Sequence, residues 1–157
     1  MRALNVLAAL SAGMSLAILP VWANDSFTDR CIALKARLAN LDCRQMFREA
    51  HTILSDGGPY VSSVAQELKR NRGRLSALSD VLKETTRAAQ NCLAKHVKEA
   101  PAVVPAYLSI DQFHVDLERW VTHKWEFPDD FARKYQQNLI DKYDKALEAI
   151  RSVNEQL

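Results

Sequence analysis

Between Pro59 and Lys98, apolar side chains recur at alternating steps of three and four: Val61, Val64, Leu68, Leu75, Leu78, Leu82, Ala89 and Cys92, with Asn71, Thr85 and His96 filling the remaining positions of the same row. That spacing holds one face of an α-helix against a partner, while Glu67, Lys69, Arg70, Arg72, Lys83, Glu84 and Arg87 make up a solvated side. Gly57-Gly58 reads as a stop for whatever precedes, and Pro59 as a first-turn residue, because its missing N–H would have no helical partner there. At roughly 1.5 Å per residue, such a helix would run about 60 Å. Asn71-Arg72-Gly73 is the place where it would bend, since glycine inside a helix costs about 1 kcal/mol relative to alanine.

Upstream, Ser26 with Asp29 and Asp42 with Gln45 have the spacing of capping pairs. They predict one helix with Phe27, Cys31, Leu34, Leu38 and Leu41 on its face and, after a break at Asn40 to Asp42, a second piece facing Met46, Phe47, Ala50, Ile53 and Leu54. Ser55-Asp56-Gly57-Gly58 is expected to be the tight turn that makes this piece antiparallel to the long helix. Downstream, Pro101 and Pro105 predict an extended connection. Ser109 with Gln112 would then cap a helix facing Ile110, Phe113, Leu117, Trp120 and Val121. Glu126-Phe127-Pro128-Asp129-Asp130 breaks it and opens a last helix, whose buried stripe is expected to be Phe131, Tyr135, Leu139, Tyr143, Ala146, Ile150, Val153 and Leu157. With no strand pattern and few glycines, the expectation is all-α: an antiparallel helical bundle with one long central helix.

The first residues change the picture of where the chain acts. Met1-Arg2, an apolar run from Leu4 to Val21 and small residues at Val21 and Ala23 have the form of a secretory signal peptide cleaved after Ala23, leaving 24–157 as a single helical domain. The chain is then expected in the periplasm or otherwise secreted, with no stable membrane insertion after cleavage. Such compartments permit disulfides, and the candidates are Cys31, Cys43 and Cys92. With the turn at Gly57-Gly58 and both helices straight, residue 43 would lie opposite about residue 70 and residue 31 opposite about residue 82, about 15 Å short of Cys92. A bond to Cys92, from either partner, therefore requires the first helix to fold away at its break.

Charge narrows the partners. The formal balance is +2, and removal of residues 1–23 takes away one basic residue, Arg2, so nothing favours nucleic acid. No Glu-x-x-His pair is present, and His114 and His123 lie half a helical turn out of phase, so neither pattern provides a metal site. His96 beside Cys92 is the place for a Cys/His site, weighed against a half-buried histidine at a helix end. Met46 with His96 is the pair that a non-covalent haem would require; no cofactor is expected. Hydrolase, phosphate-loop and dinucleotide motifs are lacking.

What remains are surfaces. Tyr107, Phe113, Trp120, Trp125, Phe127, Phe131 and Tyr135 hold most of the rings. Helical spacing puts Phe113, Trp120, Phe131 and Tyr135 in the core and leaves Trp125 and Phe127 as the exposed contact. Arg70, Arg72 and Arg74 gather charge near the suspected bend, either as a solvated face or as a grip for an acidic surface. The resulting expectation is a non-enzymatic exported protein that binds another protein, such as an envelope adaptor or chaperone, a secretion-system component or a toxin-immunity protein, with homo-oligomerisation open through the long helix. The alternatives are a small all-α enzyme with a pocket inside the bundle, marked by basic residues facing acids across helices, and a ligand carrier using the Tyr107 to Tyr135 aromatics.

Overall fold

A computed structural model describes residues 26–63, 67–122 and 129–157, apart from the side chains of Lys69 and Asp129. The segment read as a signal peptide lies outside them, as do His123, Trp125 and Phe127. Five helices follow in order: α1 (Ser26–Arg37), α2 (Cys43–Val61), α3 (Leu68–His96), α4 (Val103–Thr122) and α5 (Asp129–Gln156), with a short 3-10 turn at Leu38–Asn40 after α1. No strand occurs among the described residues, and none of their helices is long and apolar enough to cross a membrane.

Helices α2 to α5 close a four-membered ring in which each packs on the next and α5 returns to α2. Cross-helix bonds fix the directions. Cys43 meets Cys92 between α2 and α3. The Ser79 hydroxyl donates to the His114 carbonyl between α3 and α4 (3.3 Å), and the Tyr135 hydroxyl donates to the Asp116 carbonyl between α4 and α5 (3.2 Å). Between α5 and α2, Tyr143 donates to Leu54 O and Asn154 to Phe47 O, so those two are antiparallel as well. Helix α1 stands outside the ring, laid on α3 and to a lesser extent on α2. The central element is α3: Leu68, Asn71, Leu75, Leu78, Leu82, Thr85, Ala89 and Cys92 are all buried, in the three-four rhythm of the sequence. Ser79, Val81 and Thr86 are buried beside them, because α3 is covered from both flanks. Thr85 and Thr86 return their hydroxyls to the carbonyls of Val81 and Leu82, so neither is buried without a partner.

The break between α2 and α3 is not where glycine and proline suggested. Ser55, Asp56, Gly57, Gly58 and Pro59 are all helical, within α2. Neither glycine has the positive φ that a helix-terminating glycine adopts. They are contact residues instead. A Cβ on Gly57 would lie 2.8 Å from Leu78 Cδ2 and 3.2 Å from Phe27 Cζ, and one on Gly58 would lie 2.7 Å from the Tyr143 hydroxyl oxygen. Serines end the helix: Ser62 N and Oγ both donate to Gly58 O at 3.0 Å, and Ser63 Oγ donates to Tyr60 O at 2.7 Å. Pro59 gives up one helical bond, near the end where few remain. The long helix accordingly has 29 residues, begins at Leu68 and runs unbroken through Gly73, which is exposed and where an added Cβ would meet no other part of the protein within 4 Å.

Moving the turn changes the register. Cys43 faces Cys92 and Gly57 faces Leu78, so residue 43 is nowhere near residue 70. The disulfide is Cys43–Cys92, with Cα atoms 5.9 Å apart; Cys31 remains a buried thiol on α1. The first helix does fold away, as a bond to Cys92 requires. The 3-10 turn and extended Leu41 reverse the chain, and Asp42 opens α2 as a full capping box: its carboxylate accepts from Gln45 N at 2.8 Å, and the Gln45 side chain accepts from Asp42 N at 3.1 Å.

Two further expectations are corrected. The connection around Pro101 is a run of tight turns, and α4 starts at Val103 with Pro105 in its first turn, where a missing N–H removes nothing. Ser109 and Gln112 are therefore mid-helix. In α5, Phe131 is 49% exposed and Ala132 is buried instead. Steps of four from Leu139 back to Phe131 each gain about 40° on the buried face, and two of them carry the side chain off it. Leu139, Tyr143, Ala146, Ile150 and Val153 are buried and Tyr135 and Leu157 half-buried, and Tyr143 burial with Asp144 and Asp56 nearby raises its phenol above the ordinary value.

Candidate interaction surface

The antiparallel ring gives the molecule two ends. At one lie the start of α3, the last turn of α4 and the first of α5. Arg70 and Arg72 are exposed there, as is Phe131. Arg74 does not join them: it is half-buried, its guanidinium sits 5.0 Å from the centroid of Tyr60, and it donates to Asn71 Oδ1 at 3.0 Å. Asn71 is thereby satisfied on the seam of a continuous helix, a different setting from the exposed bend expected for it.

The other end holds the disulfide, the last turn of α3, the α3–α4 turn and the chain end of α5. Val97, Val104 and Leu108 stand 42%, 38% and 48% exposed around that turn, with Pro101 and Pro105 exposed between them. Val104 and Leu108 are one helical turn apart on the outer side of α4, opposite buried Ala106 and Ile110, so the exposure follows from the phase of the helix. Beside them is an open hollow of about 490 Å³, lined by Asp42, Cys43, Arg44, His96, Glu99 and Leu157. His96 and Glu99 flank Val97 in sequence and pair at 3.5 Å, which joins the aliphatic patch to the rim of the hollow. Arg44 donates to the Leu157 carbonyl, and Gln156 Oε1 accepts from Ala102 N at 3.0 Å, pinning the chain end at this surface. This end of the bundle thus carries exposed aliphatic side chains near a polar, hydrogen-bonded hollow.

Sequence reasoning missed Val104 and Leu108 because the prolines were read as an extended connection. The available signal was their four-residue spacing. His96 is the half-buried helix-end histidine, and its neighbour Cys92 is committed to the disulfide, so no Cys/His site forms there. Met46 is fully covered. Among the described residues, no three His, Cys, Asp or Glu side chains gather as metal ligands. Of the aromatics, Phe113 and Trp120 are buried, Tyr107 and Tyr135 half-buried, and Trp120 stacks on Tyr135 with centroids 5.6 Å apart. A basic residue does face an acid across helices: Lys142 of α5 bonds buried Asp116 of α4, with Arg119 3.5 Å from the same carboxylate. The hollows described along the helix seams are lined by other residues. Compared with known protein families, with curated proteins and with solved structures, the chain matches none.

Proposed function

We propose that this is an exported helical protein, periplasmic or otherwise secreted, that acts by binding another protein through the disulfide end of its bundle. The observation that carries the reading is the pair Val104 and Leu108, left in water one helical turn apart on the outer side of α4, with Val97 exposed at the end of α3. Scattered exposed aliphatics are ordinary, whereas a group beside a polar rim is the surface that a partner covers. The Cys43–Cys92 bond supports an oxidising compartment, in keeping with the signal-like N-terminus. An envelope adaptor or chaperone, a secretion-system component and a toxin-immunity protein are all roles for such a surface.

The enzyme alternative draws on Lys142 and Asp116, but that pair bridges α4 and α5 away from the described hollows and serves as a strut. The carrier alternative loses ground because Trp120 and Tyr135 stack on each other.

The test compares the protein with its Leu108→Arg variant as immobilised bait for an envelope extract, with thermal unfolding of both as the control. Leu108 is half exposed, so the variant should unfold at the same temperature while binding at least about tenfold more weakly, as expected for a central contact. Equal capture by both proteins would remove this surface from consideration.

A further inference from the structure

We propose that the Cys43–Cys92 bond is a thiol-exchange site at which a dithiol is oxidised, Cys43 being the sulfur attacked and Cys92 the sulfur released. The two residues are unequally exposed. Cys43 is half-buried at the start of α2, whereas Cys92 is 4% exposed near the end of α3. Two open hollows reach them. The one of about 490 Å³ at the chain end borders Cys43 without Cys92, and one of about 230 Å³ beside Leu38 and Leu41 borders both. Displacement at sulfur proceeds in line, from the side away from the leaving sulfur, and the larger hollow is the one that offers this approach to Cys43. A small thiol therefore has room to arrive while the helices stay packed. Cys31 is 1% exposed and borders none of the described hollows, so it does not compete in the folded chain.

The surroundings favour negative charge on both sulfurs once the bond opens. Cys43 is the first residue of α2. Of the four N–H groups that a helix start leaves without helical partners, the capping box occupies those of Asp42 and Gln45, and those of Cys43 and Arg44 remain at the positive end of the helix dipole. A thiolate is stabilised there, which is the setting of reactive cysteines. The Asp42 carboxylate opposes it, but is held by the Gln45 N–H at 2.8 Å. Cys92 is released beside Lys95 and His96, which border the smaller hollow with it. In the first step a thiolate of the dithiol attacks Cys43 Sγ: a mixed disulfide forms, the Cys43–Cys92 bond breaks, and Cys92 leaves with the electron pair and takes up a proton. In the second, the other thiolate of the dithiol attacks the dithiol's bound sulfur, and Cys43 leaves as a thiolate. The dithiol loses two electrons, which the cystine gains, and its two protons go to Cys92 and to Cys43 or water. This chemistry does not depend on what covers Val104 and Leu108.

The unaltered, oxidised protein tests this under native conditions. With dithiothreitol as the dithiol, reduction should rise in proportion to reagent and exceed the rate of global unfolding at least about tenfold. A rate that levels off at that of global unfolding would overturn the proposal. With glutathione, acid quenching and peptide mass spectrometry should find the mixed disulfide on Cys43 at least about tenfold more often than on Cys92. Equal sharing between the two would overturn the order of attack and the proposal with it. The reduced protein gives a third measurement, alkylation by iodoacetamide at neutral pH. Cys43 should react at least about threefold faster than the thiol of glutathione, as a stabilised thiolate does, and Cys31 far more slowly. Three cysteines reacting at one rate, or Cys43 no faster than glutathione, would leave an ordinary structural bond.

Discussion

The last turns of α2 and the second turn of α3 each carry glycine inside an unbroken helix, and the two regions use it in opposite ways. Gly57 and Gly58 lie where helices cross. Leu78 and Phe27 occupy the space of one missing side chain, and the Tyr143 hydroxyl that of the other. Gly73 points away from everything. The residue type is the same, and so is the intrinsic penalty of about 1 kcal/mol against alanine. What differs is whether another element needs the room. Glycine as punctuation is thus a statement about neighbours, and the neighbours here come from residues 21 to 85 positions away.

The contrast can be broken from the Leu78 side. Leu78→Asp places an unpaired charge in a fully buried seam opposite Gly57, and should remove more than about 4 kcal/mol, enough to unfold the protein. An unchanged thermal transition would mean that the buried face has been misassigned. Gly57→Val, at the same crossing, forces the same contact apart and should cost about 1 to 3 kcal/mol. A neutral result in denaturant titration would show that α1 yields without loss.

Tyr143→Phe sharpens the case of Gly58. It removes the 2.8 Å bond to Leu54 O and should cost about 1 kcal/mol. It also has a pH signature. The folded-state phenol is raised, so above the ordinary value of 10.0 the unfolded chain loses its proton first and stability falls as pH rises through the folded value. The variant should flatten that alkaline decline, and an identical decline in both proteins would assign it elsewhere. Gly73→Ala is the smallest change and has the opposite sign, a gain of about 0.5 to 1 kcal/mol from helix propensity alone. A loss on this substitution would reveal a contact at that position.

Much of the fold was legible for the same physical reason that parts of it were not. Helix phase is local: Phe27, Cys31 and Leu34 on α1, Met46 to Leu54 on α2, and Ile110 to Val121 on α4 were placed on their buried faces by spacing alone, and all are buried. The Asp42–Gln45 capping box is equally local and forms with both bonds. Helix ends were harder wherever they depended on distant contacts. Gly57 and Gly58 could be recognised as crossing residues only with Leu78 and Tyr143 in place. Once that turn was set too early, the α2–α3 register followed it, and with the register went the choice between Cys31 and Cys43. Phe131 failed by drift, through steps of four that α5 does not keep. The interaction surface was the least legible part. Whether Val104 and Leu108 face water depends on α4 beginning at Val103 and on which side α3 and α5 cover.

The three cysteines also set an order of events during synthesis. Cys31 and Cys43 emerge, twelve residues apart, while Cys92 has still to be made. An oxidant acting on the growing chain would meet that pair first, and joining it would commit Cys43 to the wrong sulfur. The finished molecule has Cys31 sealed beneath α1 and Cys43 bonded 49 residues downstream. The native pairing therefore requires either oxidation that waits until α3 is made and covers Cys31 or a thiol exchange in which Cys92 displaces Cys31 from Cys43. The first helix then acts as a guard on pairing chemistry as well as a layer of the bundle.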